Sequence, residues 1–249
     1  LINFIYVLSL SAIMGLSIYL SLPIIAKKNF GLSETKFLNA VAIGILIFLI
    51  SDVFLNAAQI MYNGTLDGYG TSPVYDIVFI SFTVIGFIML FIMGHRGSGS
   101  FSKVKLSLII SLGIAFQNLT EGLLFGSVSS IIGLDGITLV ILLGFILQNF
   151  TEGFPIVSPF LGSMEGEMGF IVAALFIGGF PTIIGGAIGY YFNSTLFDLS
   201  FLGLAIGTMI YIILPMLRGL LKEPDNKTLS LAYLGIFTGF ILGFAVNLI

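Results

Sequence analysis

The amino-acid sequence predicts an all-α polytopic membrane protein with eight transmembrane helices. Three observations carry that prediction. Charged residues make up only 8% of the 249-residue chain, against about 25% in an ordinary soluble domain. Hydrophobic residues make up 57%, with a mean hydropathy of +1.15, so the chain lacks the polar groups that would cover a soluble surface. Strongly apolar stretches of span length recur from end to end. A soluble globular enzyme, a nucleic-acid binder and a disordered tail are thereby excluded. A β-barrel would show short alternating segments with polar lumen positions, and the sequence has none. With no cysteine and one histidine, disulfides, thiolate metal sites, thiol catalysis and His-rich zinc chemistry drop out as well.

A helix needs about 20 mostly apolar residues to cross the hydrocarbon core. Cutting at polar, charged and Gly/Pro clusters gives spans at roughly 2–25, 36–62, 73–94, 104–128, 134–160, 168–192, 199–221 and 229–249. Between spans 4 and 5 only Ser129 to Gly133 and Asp135-Gly136 mark a turn. The connections are short, so residues 1–249 read as a single transmembrane domain. Charge placement tests these cuts independently. Lys27, Lys28, Lys36, Arg96, Lys103, Lys105, Arg218, Lys222 and Lys227 all fall in or beside the connections after spans 1, 3 and 7. The connections after spans 2, 4 and 6 carry Asp67, Asp135 and Asp198 and no base. That after span 5 carries Glu165 and Glu167 and does not bear on sidedness. By the positive-inside rule, both termini are extracytoplasmic and the chain is a multi-pass protein of the plasma membrane. A wrong span count would have scattered the bases over both sides.

Carboxylates inside the spans cost at least about 2.5–3.5 kcal/mol each at mid-bilayer, so each needs a reason. Asp76 follows Pro73 by three residues and reads as a first-turn acid at a helix N-terminus. Glu121 and Glu152 keep different company. Span 4 reads Gln117-Asn118-Leu119-Thr120-Glu121-Gly122, and span 5 reads Gln148-Asn149-Phe150-Thr151-Glu152-Gly153. In each copy Gln and Glu are four apart and share a helix face, with Asn bordering it. Consecutive spans run antiparallel, so two facing copies would pool two carboxylates and four amides at one depth, with the character of an inverted repeat. Interhelical glue would account for the amides and glycines. It does not account for two carboxylates held close, which call for a cation or proton between them.

Pro155 and Pro159 follow the second motif, and each is expected to free a backbone carbonyl and kink the helix. Span 2 carries Asp52, Asn56 and Gln59 on one face, which reads either as a pathway lining or as a hydrogen-bonded contact with another span. Gly178-Gly179-Phe180-Pro181 and Gly185-Gly186 in span 6 signal close packing and a kink. No lysine lies mid-span, which argues against a retinal Schiff base. His95, beside Arg96 in a Gly/Ser-rich loop, reads as solvated.

Eight spans, external termini and paired x-N-x-x-E-G motifs on spans 4 and 5 resemble the ZIP (Zrt/Irt-like) divalent metal transporters. In that family span 4 typically reads H-N-x-x-E-G and span 5 H-E/N-x-P-E-G, and these side chains form a mid-membrane metal site. Gly207-Thr208-Met209-Ile210-Tyr211 in span 7 is similar to the family's G-A-M-x-Y. The likeness covers spans 4 to 7, and elsewhere extends only to layout. The family's histidines are replaced by Gln117 and Gln148, its span 6 acid by Phe180, and its span 7 acid by the Leu214-Pro215 region.

The resemblance implies a single metal site at Gln117, Glu121, Gln148 and Glu152, with Asn118 and Asn149 left from a second. It implies a divalent cation (Zn, Fe or Mn) as cargo rather than as cofactor. An all-oxygen set would bind zinc weakly and discriminate less, since imidazole suits zinc and oxygen donors suit Mg, Ca or Mn. The expected activity is transport into the cytoplasm, not enzymatic chemistry, with the cation and the bilayer as partners, no nucleic acid, and a homodimer left open. Two alternatives stand beside it: a ZIP-fold carrier with a changed substrate (protons or an organic cation), and a non-transporting scaffold or sensor. The short loops leave the last little partner surface, and no H-E-x-x-H supports an intramembrane hydrolase.

Overall fold

The computed structural model describes residues 3–25, 31–63, 72–95, 102–133, 136–161, 167–192, 194–222, 226–246 and 248. Lys27, Lys28, Asp67, Arg96 and Asp135, used above for sidedness, lie outside the described residues, as do Glu165 and the side chain of Lys227. Eight of the helical stretches are long and apolar enough to cross a membrane. They are formed by α1 (Phe4–Leu16) with the 3-10 turn that follows it, α3 (Leu32–Asn63), α4 (Pro73–His95), α5 (Lys103–Ile132), α6 (Gly136–Val157), α7 (Met168–Tyr191), α8 (Thr195–Leu220) and α9 (Asn226–Val246). No strand occurs among the described residues. Large apolar side chains such as Ile77, Ile80, Tyr233 and Phe237 face outward, as expected where the surrounding solvent is lipid.

The first span departs from a straight helix. It tightens into a 3-10 turn at Ser17–Ser21 before the short α2 (Leu22–Ile25). Ser17 Oγ donates to the carbonyls of Met14 (2.6 Å) and of Ile146 on α6 (3.0 Å), and Ser21 Oγ donates to Ile18 O at 2.8 Å. Hydroxyls that bond back to the chain compete with the helix ladder and bend it. The 3-10 turn lies directly on α6.

The helix changes type just after the first of the span 5 prolines. The α-helix runs through Pro155 to Val157 and only then tightens into a 3-10 turn at Ser158–Phe160. Pro159 has no N–H for the carbonyl of Pro155, and Ser158 Oγ donates to that carbonyl at 3.1 Å instead. The freed carbonyl is therefore occupied. Ser107 of α5 fastens the same region by donating to Ile156 O at 2.7 Å.

The helices pack in two groups. One contains α1, α5, α6 and α7, and the other α3, α4, α8 and α9; they meet mainly where α5 lies against α8 and α3 against α6. The α5–α7 contact is the most extensive and is backbone on backbone: a Cβ at Gly122 would strike Thr182 O, and one at Gly185 would strike Leu119 O. In the other group, Gly207 of the span 7 motif has no room for a Cβ because the Thr83 carbonyl of α4 lies against it. That motif is a packing surface here, and Thr208 Oγ1 donates to its own helix at Ala205 O, 2.8 Å.

Successive spans alternate in direction, so the starts of α3, α5, α7 and α9 share one end of the bundle with the ends of α4, α6 and α8. Lys36, Lys103, Lys105, Arg218 and Lys222 all lie at that basic end. Asp76 and Asp198, in the first turns of α4 and α8, lie at the opposite, acidic end. His95 is the exposed last residue of α4 rather than part of a loop; its Nδ1 lies 2.8 Å from Phe91 O, and its ring packs on Phe91 at 4.1 Å.

Candidate functional site

Both copies of the repeated motif sit within their helices, on the faces that α5 and α6 turn toward each other. Gln117, Asn118, Glu121, Gln148, Asn149 and Glu152 are all buried, from 0 to 7% exposed. The motif glycines set the spacing. Gly122 lets α5 touch α7, and Gly153 lets α6 touch the first-span turn, where a Cβ would strike Ile18 O and Ser21. The motif threonines take no part in the cross-helix network. Thr120 Oγ1 donates to Phe116 O at 3.0 Å and Thr151 Oγ1 to Gln148 O at 2.7 Å, each on its own helix.

The pooled side chains are not symmetric. Glu121 accepts three hydrogen bonds: Gln148 Nε2 at 2.7 Å and Gln117 Nε2 at 3.2 Å on Oε1, and Asn149 Nδ2 at 3.4 Å on Oε2. Asn149 Nδ2 also donates to Phe145 O at 3.0 Å, and Asn118 Nδ2 to Gly178 O of α7 at 2.9 Å. Each of the four amide nitrogens thus makes at least one hydrogen bond. Glu152 is 0% exposed, and Asn118 and Gln148 flank it. Both amides lie close enough to interact with Glu152, yet neither Glu152 oxygen has a donor in full hydrogen-bonding geometry. Glu121 and Glu152 lie within electrostatic reach of each other, and Asp52 within reach of both.

The resulting imbalance defines the site. Gln117 Oε1, Asn118 Oδ1, Asn149 Oδ1 and both oxygens of Glu152 are buried acceptors with no donor. Buried polar atoms are normally satisfied, because leaving one unpaired costs about 1–3 kcal/mol. Here all five carry partial or full negative charge and come from the same repeated motif. No protein-family model and no curated protein matches this chain. The chemistry of these side chains therefore has to carry the functional reading.

A cavity of about 240 Å³ adjoins the site. It is lined by Asp52, Asn56 and Gln59 of α3, Gln117, Thr120 and Glu121 of α5, Phe145 of α6, and Asp198 and Leu202 of α8. The span 2 residues thus share one cavity with the first motif, and Asn56 Nδ2 donates to Asp52 Oδ2 at 3.4 Å. Along α3 the lining runs from Asp52 through Gln59 toward the acidic end, where Asp198 lies. Asp198 is legible in the sequence only as a charge at a span boundary. A second cavity, about 350 Å³ and lined by Lys36, Asn39, Lys103, Ser158 and Pro215 among others, lies at the basic end. Between the two, Leu46, Leu49, Ile110, Ile114, Met209 and Ile212 are each no more than 1% exposed and close the core. Phe180, at the position where the family resemblance marks an acid, is 37% exposed on the outer face of α7 and stacks on Phe176 at 4.7 Å.

Proposed function

We propose that this chain is a ZIP-like plasma-membrane carrier that moves a divalent cation of the Zn, Fe or Mn class into the cytoplasm. Glu121 and Glu152 hold the ion, with oxygens from Gln117, Gln148, Asn118 and Asn149 and with water completing the shell. The observation that carries the reading is the set of five buried acceptor oxygens without a donor, clustered around two carboxylates. A cation between the two motifs would supply the positive partner that these oxygens lack, and two carboxylates balance a divalent charge. Structural glue would leave donors and acceptors paired across the helices, as they are at Asn118 and Gly178.

The access route follows from the cavities. The cavity at the acidic end reaches Glu121, while packed aliphatic side chains separate it from the cavity at the basic end. With the basic end cytoplasmic, this arrangement is open outward and closed inward. Rocking of the α1/α5/α6/α7 group against the α3/α4/α8/α9 group would exchange the two. The test is uptake of Mn²⁺ or Zn²⁺ into proteoliposomes. Glu121→Gln with Glu152→Gln abolishes uptake if the carboxylates hold the ion; unchanged uptake overturns the reading.

One observation supports a second reading, a carrier of the same architecture with protons or an organic cation as substrate. Neither Glu152 oxygen has a donor in full hydrogen-bonding geometry while Glu121 has three, so a proton on Glu152 would relieve the poorly paired carboxylate as a metal does. Thermal unfolding separates the two readings. Protection by divalent ions supports metal transport, and protection by acid alone supports the proton carrier.

A further inference from the structure

We propose, resting on the carrier reading above, that the cavity at the basic end is the inner mouth of the same route. Lys36 and Lys103 repel the cation there and weaken its recapture from the basic face.

Both cavities lie on one seam. Each is lined by α3 and α8 from one helix group and by α5 and the α6 span from the other. At the basic end α3 contributes Lys36 and Asn39, α5 Lys103, α8 Pro215, and the 3-10 turn after α6 contributes Ser158. Ile43 lines this cavity too and is 0% exposed. Leu46, about one turn further along α3, already belongs to the packed aliphatic core. The plug between the cavities is therefore the floor of the basic one. Parting the two helix groups at this end would open the seam from that floor toward Glu121 and Glu152.

The charge reverses along the seam. Among the described residues, the acidic-end cavity is lined by Asp52, Glu121 and Asp198 and by no Lys or Arg. The basic-end cavity is lined by Lys36 and Lys103 and by no Asp or Glu. The positive-inside rule accounts for bases at this end, but not for their lining an enclosed space. Lys105 shows the ordinary use, its Nζ donating to Gly94 O at 2.6 Å near the end of α4. Lys36 Nζ instead donates to the neutral Thr228 Oγ1 at 3.1 Å, a partner that leaves its charge in place. A cleft lined by one sign of charge between low-dielectric walls focuses its field. It concentrates ions of opposite sign and depletes those of its own, and a divalent ion feels the potential twice over.

A cation released into this mouth therefore leaves readily and returns poorly. A carrier does not create a gradient by itself. At equal pH and zero membrane potential, its ratio of maximal rate to half-saturation concentration is the same in both directions. The lysines must then raise both quantities together at the basic face.

The test is Mn²⁺ flux through the full chain in vesicles sorted by the orientation of the protein, at equal pH and zero potential. Lys36→Gln with Lys103→Gln should lower the half-saturation concentration and the maximal rate from the basic face by the same factor, at least about threefold. Flux from the acidic face should match wild type. Lys36→Arg with Lys103→Arg keeps both charges and should match wild type from either face. Raising the ionic strength with an inert salt should bring the wild-type half-saturation at the basic face toward that of the Gln variant. Lys103→Gln alone, at the first residue of α5, should give a smaller shift of the same kind if the double variant does not fold. An unchanged basic-face half-saturation in the folded Gln variants overturns the inference and leaves the carrier reading standing. So does an equal shift in the Arg variant, or a fall in maximal rate from both faces at constant half-saturation. A wild type that carries no Mn²⁺ from either face overturns both.

Discussion

Glu121→Gln and Glu152→Gln are the same chemical change, yet the structure predicts opposite effects on the stability of the metal-free protein. Glu121 accepts hydrogen bonds from Gln148, Gln117 and Asn149. An amide in its place keeps one acceptor oxygen for the first two bonds without the charge, and turns an N–H₂ toward the Asn149 donor. Interhelical hydrogen bonds in membranes are worth about 0.6 kcal/mol on average and up to about 1.7. Bonds to charged groups run to about 1.5–3 kcal/mol. The summed loss is about 1–3 kcal/mol, and at about 2–4 °C per kcal/mol for a chain of this length the unfolding midpoint should fall by several degrees. Neither Glu152 oxygen has a donor in full hydrogen-bonding geometry, although Asn118 and Gln148 flank it, and unpaired acceptors from the same motifs lie on both helices. An amide there supplies two N–H groups where acceptors are in excess and removes a buried carboxylate, so the midpoint should hold or rise by a few degrees. Thermal unfolding of both variants in nanodiscs with a chelator present measures the difference. Equal losses in the two variants, or a larger loss for Glu152→Gln, would refute the asymmetry between the two carboxylates.

Further tests follow from the same geometry. Gly122→Ala places a methyl against the Thr182 carbonyl on the neighbouring backbone, where overpacking costs about 1–3 kcal/mol; thermal unfolding should show a loss, and an unchanged midpoint would mean that α5 and α7 are not in contact there. Gln117→His with Gln148→His should raise affinity for Zn²⁺ relative to Mn²⁺ by at least about tenfold, equivalent to about 1.4 kcal/mol, because imidazole favours zinc; competition binding reads the ratio. Carboxylate ligands must be ionised to bind metal, so stabilisation by Mn²⁺ should shrink as pH falls. Stabilisation that grows on acidification would contradict a carboxylate site.

Much of the architecture is legible in the sequence because the hydrocarbon core is a severe selector. Hydropathy puts span 3 at 73–94 and α4 is Pro73–His95; it puts span 6 at 168–192 and α7 is Met168–Tyr191. The misplaced boundaries share a cause. Ser33 to Thr35 and the Thr195 and Asp198 that bracket Leu196-Phe197 are polar and read as loop, but they lie in the first turns of α3 and α8, where helix extends beyond the apolar core. The 3-10 turn at Ser17–Ser21 is not legible, since the hydrogen bond from Ser17 to Ile146 joins residues 129 positions apart. At the site, the repeated motif is enough to bring its two copies together. Their asymmetry cannot be read from it, because it depends on which way each amide nitrogen turns. Asp198 is inconspicuous in the sequence for a related reason: its place in a first turn has an ordinary explanation, and only the assembled cavity sets it beside Asp52.

The proposed mechanism stands or falls on a divalent cation between Glu121 and Glu152. Crystals grown with Mn²⁺ and measured at a wavelength where manganese scatters anomalously probe that position itself, together with the metal content of the purified protein. A peak is expected between the two carboxylates, within ligand distance of the motif oxygens, and it should vanish in Glu121→Gln/Glu152→Gln. A metal-bearing protein with no peak at that position would contradict the mechanism.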